Sequence, residues 1–264
     1  MNVISEFVRE DIFAEHLTPR HDGEHLVQQQ NVVVDLQVAM EKRWLRYAPK
    51  VRKNVRRAEE AGLRVEIGNS ESFLEPFLGI YYETMKRRHA NDYFFLAREK
   101  LQLLHNSLQP AGGLQYALVF LNERVVAAEL LLLSADTLYS FLGGTDAGYF
   151  ALRPADLLKH KVIAWGQQRG YARFVLGGGL KPNDGLFQFK KAFEPGGLMD
   201  FCVRRVVWNR EQYNLLVAAR TEWEMGMGRT WRPEPDFFPA YRAELPTEEP
   251  GSPPCDARVS SEER

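Results

Sequence analysis

The segment Gly185-Leu-Phe-Gln-Phe-Lys-Lys-Ala-Phe193 sets two adjacent lysines among phenylalanines. Read as an extended segment, its alternation puts Phe187 and Phe189 on one side, with Phe193 further on. Lys190 and Lys191 then lie against an apolar set, so at least one ammonium is partly desolvated. A cation so placed can bind a phosphate or stabilise the oxyanion of a tetrahedral intermediate. The alternative is a snorkelling surface pair.

Three other stretches invite a chemical reading. Lys42 to Arg64 carries nine Lys/Arg against two acids, and Arg52, Lys53, Arg56 and Arg57 fall one helical turn apart. A helix presents them as one cationic stripe, either a phosphate-binding face or a solvated one. Gly177-Gly178-Gly179 follows a predicted strand and serves either as an exit needing positive φ or as a close backbone approach to a ligand. Gly143 to Arg153 leads into a helix starting at Pro154, whose free N–H groups suit an anion, with Arg153 as an added charge. Asp146, Glu129 and Asp156 are the general-base candidates. The six histidines (16, 21, 25, 89, 105 and 160) show no ligand spacing on a helix; His160 sits on the Pro154 helix. There is no G-x-S-x-G, Walker, H-E-x-x-H or Rossmann glycine fingerprint.

The elements that must position these residues are legible in part. Gln115–Leu121, Val125–Leu133 and Thr137–Leu142 read as an antiparallel three-strand meander joined by polar turns. Pro154–Arg169 reads as a helix closed by Gly170, and Asn209–Glu224 as another capped by Asn209. The basic stretch is a helix closed by Gly62. Ser72–His89 and Arg98–Leu108 are amphipathic helices; Val32–Leu36, Arg173–Leu176 and Leu198–Trp208 are strands. The order predicts an α/β fold, a mixed sheet with helices on both faces.

The 264 residues, 45% apolar, suffice for a substantial core, and the net charge of -1 rules out a globally basic nucleic-acid binder. Two cysteines, 202 and 255, argue against a disulfide framework and a Cys-ligated zinc site, so no metal is expected. No apolar run reaches the ~20 residues of a membrane-spanning helix, and the N-terminus does not read as a secretory signal. Pro246–Arg264, with four prolines and five acids, reads as a disordered tail.

Several of these stretches carry a family likeness. Ser5-Glu-Phe-Val-Arg9 with Val32-Val-Val-Asp-Leu36, the basic helix Lys50–Gly62, Phe141-Leu-Gly-Gly-Thr-Asp146, Arg169-Gly-Tyr-Ala-Arg-Phe174, the Gly177 triplet and Gly185–Phe193 resemble, in order and spacing, the FemABX peptidyltransferases. The resemblance covers about residues 1 to 210. It implies a GNAT-like acyltransferase fold, with a mixed, mostly antiparallel sheet flanked by helices. Family members have two such halves. By this likeness residues 1–40 are a remnant or linker of a first half, 41–245 a GNAT-like domain and 246–264 a tail.

The implied activity is that of a cytoplasmic enzyme moving an amino acid from aminoacyl-tRNA to the stem-peptide amine of a peptidoglycan precursor, lipid-linked or UDP-linked, in cell-wall synthesis. No cofactor is implied. The likeness assigns Lys190 or Lys191 to the transition state or the tRNA terminus, and Arg52, Lys53 and Arg56 to tRNA or precursor phosphates. Tyr139, Asp146, Tyr149, Arg153 and Phe189 become substrate-cleft candidates. Peripheral membrane contact and a homodimer are further partners compatible with it. Two other readings stand beside it: an N-acetyltransferase using acetyl-CoA, and a non-catalytic RNA-binding or scaffold subunit.

Overall fold

The computed structural model describes residues 3–13, 23–233 and 236–245. The tail expected over 246–264 lies outside the described residues, as do His16, His21 and Cys255. In chain order the elements are β1 (Ser5–Arg9), β2 (Glu24–Asp35), α1 (Met40–Arg46), α2 (Pro49–Glu60), β3 (Leu63–Gly68), α3 (Leu74–Arg87), α4 (Arg98–Leu108), β4 (Leu114–Leu121), β5 (Arg124–Leu133), β6 (Thr137–Thr145), α5 (Pro154–Gln168), β7 (Arg173–Gly177), α6 (Gly185–Lys191), β8 (Leu198–Val207) and α7 (Arg210–Gly226). They form two compact units, one of residues 29–200 and one of 1–28 with 201–264.

In the larger unit the strand order is β2-β7-β6-β5-β4-β3. Strands β4, β5 and β6 run antiparallel, as the meander predicts, β3 adds antiparallel to β4, and β6 and β7 run parallel. Alternation along β4 separates two cores. Ala117 and Val119 pack with Val51, Val55 and Ala58 of α2 and with Leu157, Leu158, Val162 and Ile163 of α5. Leu114, Tyr116 and Leu118 pack with Phe77, Leu78 and Tyr81 of α3 and Leu101 of α4. Successive strand side chains point to opposite faces, so helices are needed on both.

The helix α2 forms as its sequence requires. Pro49 occupies the first turn, Val51, Asn54, Val55 and Ala58 are buried on one stripe, and Gly62 (φ +78°) ends it. Pro154 likewise opens α5, and Gly170 (φ +81°) follows its end.

Three elements escape the sequence reading: β1, α1 and β3. Leu63, Val65 and Ile67 alternate with polar residues as a strand should, but the basic run extends through Arg64 and masks the alternation. One expectation is corrected outright. Gly185–Lys191 is a helix, not an extended segment, so Phe187 and Phe189 do not share a side. The reason is Asp184, whose carboxylate accepts from the Phe187 N–H at 2.8 Å and caps the first turn. Phe189 instead meets Phe193, four residues on, edge to face with centroids 5.4 Å apart.

In the smaller unit β1 pairs antiparallel with β8, from Ser5↔Val207 to Arg9↔Val203. Asn209 caps α7 by accepting from the Gln212 N–H at 3.0 Å, as its position predicts. The buried Glu224 of α7 is held by Arg220 and Arg229, each at 2.7 Å.

Candidate active site where two parallel strands part

The pairing of β6 with β7 lasts only from Thr137↔Arg173 to Tyr139↔Val175. Beyond that point β6 stays with β5 as far as Ala127↔Thr145, while β7 ends at Gly177. The two strands therefore part after Tyr139, and polar groups from four elements gather there. Ser140 is the next residue of β6, and its hydroxyl accepts from the Lys159 ammonium of α5 at 2.8 Å. Lys159 is also paired with Glu129 of β5, and both are almost fully buried. A buried charge is costly unless matched, so each of these two explains the other.

Lys190 comes from α6. Its ammonium donates to the Gly178 carbonyl at 2.6 Å. Burial pushes it down to about 8, the positive charge of Lys159 adds to that, and Glu129 and Asp184 pull the other way. The loop before α6 supplies the geometry. Gly177 exits β7 at φ +77°, and a Cβ on Gly178 would come within 2.8 Å of the Gln29 side chain and the Gln30 carbonyl. Asp184 accepts from the N–H groups of Leu180 (2.8 Å) and Lys181 (3.2 Å) as well as Phe187. The Phe187 bond, with the others, holds its carboxyl below the usual range. The glycine triplet thus combines positive φ with close backbone approach, and what approaches is the protein itself.

The other expected residues are distributed over three places. Lys191 lies over the Phe187 ring, 6.0 Å from its centroid, in the snorkelling arrangement. Tyr139, half-buried, is the last residue of the parallel pairing. Asp146 accepts from the Gly148 N–H at 3.0 Å and pairs with Arg124 at 2.9 Å, whose guanidinium covers the Tyr149 ring. Arg153 is exposed in the left-handed region (φ +62°) ahead of α5. Between Asp146 and Arg153 the 3₁₀ helix Ala147–Leu152 and its flanking residues engage their own donors: Gly148 on the Asp146 side chain, Tyr149 on the Asp146 carbonyl and Arg153 on the Phe150 carbonyl.

On α2 the stripe divides. Arg52 donates through Nη1 to the carbonyls of Tyr47 (2.8 Å), Leu45 (3.0 Å) and Trp44 (3.4 Å), closing the C-terminal end of α1. Lys53, Arg56 and Arg57 remain exposed, Arg56 with its guanidinium 5.6 Å from the Trp44 ring centroid. Among the general-base candidates, Asp156 is buried on the Asn54 amide at 3.1 Å, and burial raises its carboxyl. Glu129 is taken up by Lys159.

Sequence reasoning missed Lys159 and Ser140. The signal was there: Glu129 interrupts an apolar strand and Lys159 an apolar helix stripe, two charges on core faces that call for one another. Two cavities open elsewhere. One of about 410 Å³ lies in the smaller unit between Arg205, Arg210, Tyr213 and Phe237, and one of about 440 Å³ lies in the larger between Asp35, Arg46 and Glu194. Neither is lined by an expected residue.

A sheet that opens between two parallel strands, with helices on both faces, defines an acyltransferase fold of the GNAT type. The chain belongs to the acetyltransferase (GNAT) domain family, which matches residues 45–191, within the larger unit. Solved structures agree on the fold. FemX superposes with a TM-score of 0.60 at 13% identity, covering 79% of this chain and 68% of that one. The C-terminal domain of a proposed lysylphosphatidylglycerol synthetase from Agrobacterium fabrum gives 0.50 at 15% identity, covering 74% and 64%. L-PGS from Bacillus licheniformis gives 0.50 at 15%, covering 75% and 66%. The chain thus spans about two thirds of each of these structures. No curated protein sequence matches it. Among the described residues no helix is long and apolar enough to cross a membrane.

Proposed function

We propose that this protein is a cytoplasmic aminoacyltransferase that moves an amino acid from aminoacyl-tRNA to the amine of a peptidoglycan precursor stem peptide, without a cofactor. The observation that carries the reading is the Lys190 ammonium, desolvated beside the point where β6 and β7 part. The similar structures named FemX and lysylphosphatidylglycerol synthetase support the aminoacyl class. The segment ahead of α5 supports a donor other than acyl-CoA. A pyrophosphate cradle needs unengaged backbone N–H groups there, and Gly148, Tyr149 and Arg153 have theirs engaged.

The chemistry asks little of the side chains. An aminoacyl ester is already activated, and an amine attacks it once deprotonated. Holding the two together contributes much of the acceleration, effective molarities reaching ~10⁵ M in well-oriented cases. As the amine adds to the carbonyl, negative charge develops on oxygen, and Lys190 is placed to neutralise it, a contribution of about 3 kcal/mol. The Lys159–Glu129 pair and Ser140 keep this charge in a polar, water-poor setting where it acts at full strength. Collapse of the intermediate expels the tRNA ribose oxygen, which takes up the proton that the attacking amine gives up as the amide forms. Tyr139 and Phe189 border the acceptor; Lys53 and Arg56 hold phosphates.

Incubation with charged tRNAs and UDP-linked or lipid-linked precursor, read by product mass, tests this. The expected product is precursor heavier by one aminoacyl residue, formed only with charged tRNA. An acetylated product formed from acetyl-CoA, and none from charged tRNA, would replace the reading with the acetyl-CoA one that family membership favours.

A further inference from the structure

The smaller unit brings three unlike ligand groups together. Glu10 follows β1, His25 lies on β2 and Cys202 on β8, and the Glu10 N–H donates to the Cys202 carbonyl at 3.0 Å. One side-chain ligand atom from each residue lies within 4.8 Å of the other two. We infer that Glu10, His25 and Cys202 form a binding site for a zinc-class divalent ion.

The donor set selects the ion class. A thiolate with an imidazole and a carboxylate suits a borderline-soft ion such as Zn²⁺ or Co²⁺ and is foreign to Mg²⁺ or Ca²⁺, which take oxygen. Ligands about 2.0–2.3 Å from a tetrahedral ion stand ~3.3–3.8 Å apart, a spacing these side chains reach by small rotations. The Glu10 carboxylate is fixed for the purpose. Arg204 grips its Oε1 through Nε at 3.1 Å and Nη2 at 2.6 Å, which leaves Oε2 on the side of His25, 2.9 Å from its Nε2. Such an outer partner orients a ligating carboxylate in established metal centres.

Glu10 is buried, while the His25 side chain is 52% exposed and gives an ion a path from solvent. Binding converts the Cys202 thiol to thiolate and releases its proton, and the two negative ligands then match the dication. Three protein ligands leave one tetrahedral position for water. A count of cysteines cannot foresee such a site, because each ligand comes from a different chain segment.

Titrating the full chain with Co²⁺ tests the inference. The expected result is one ion per chain, with a thiolate-to-cobalt charge-transfer band in the near ultraviolet, displaced by Zn²⁺. Cys202→Ser abolishes the band and Cys255→Ser leaves it intact. His25→Gln weakens binding by more than the roughly 10–100-fold that loss of an outer-sphere partner costs. Absence of a thiolate band from the wild-type chain overturns the inference whether or not the variants fold. A band that survives Cys202→Ser, or one that Cys255→Ser removes, overturns it equally.

Discussion

At the scale of single residues, Lys190 carries the most weight, and its protonation sets a testable limit. With the ammonium at about 8, the side chain is mostly charged at neutral pH and loses that charge just above. An oxyanion partner must be charged, so kcat/KM should fall on an alkaline limb near pH 8. Lys190→Arg, which stays protonated, should keep activity through that range; identical limbs in both enzymes would remove Lys190 from the transition state. Lys190→Ala should lower turnover by roughly 10²–10³-fold with little change in melting temperature. The stability sign follows from the same shift. A lysine lowered in the fold destabilises the protein below about pH 8, and the deficit is relieved as pH rises toward the ordinary value of 10.5. Lys190→Met should therefore melt no lower than wild type at pH 7. A marked fall in melting temperature with turnover preserved would make the lysine structural. The apolar flanks of Lys190 were legible, whereas the neighbouring group of Lys159, Glu129 and Ser140 was not: it forms because a helix and two strands meet, which spacing along one segment does not encode.

At the scale of elements, α1, its closing residue Tyr47 and α5 meet at His160. Its ring packs edge-on against Trp44 and Tyr47, with centroids 5.3 and 5.9 Å away, and its Nδ1 is 3.4 Å from the Tyr47 hydroxyl. Burial, helped by the charge of Lys161, pushes the imidazole down to about 4. A histidine held neutral contributes stability that is fully present above its unfolded value of 6.5 and lost as pH falls through that value toward 4. The loss amounts to about 2–3 kcal/mol. Chemical denaturation of wild type and His160→Gln at pH 7 and pH 4.5 should show the variant losing less between the two. Equal losses would mean the imidazole is protonated in the fold without cost. Helix α2 was readable because its apolar stripe, Pro49 and Gly62 all agree. Helix α6 was misread because seven residues of alternating phenylalanine fit a strand as well as a helix turn, and the deciding signal was Asp184, one residue outside the motif.

At the scale of the whole molecule, units do not follow chain order: the smaller one joins residues 1–28 to 201–264, and no boundary drawn along the sequence could describe it. The net charge of -1 raises a parallel point about nucleic acid. A chain nearly neutral overall has no long-range attraction for tRNA, so any binding must come from a local patch, and α2 offers Lys53, Arg56 and Arg57 as its exposed cations. Three phosphate contacts predict a slope of log K against log salt of about -2.1 to -2.7, and hence a roughly 20- to 40-fold loss of affinity from 50 to 200 mM salt. Fluorescence anisotropy with labelled tRNA should show that slope, and reversing the three charges to Glu should flatten it. Arg52 belongs outside this test, because reversing it would uncap α1 and confound folding with binding. An unchanged slope in the triple variant would place the tRNA elsewhere, and turnover that persists after binding is lost would separate the basic helix from the reaction altogether.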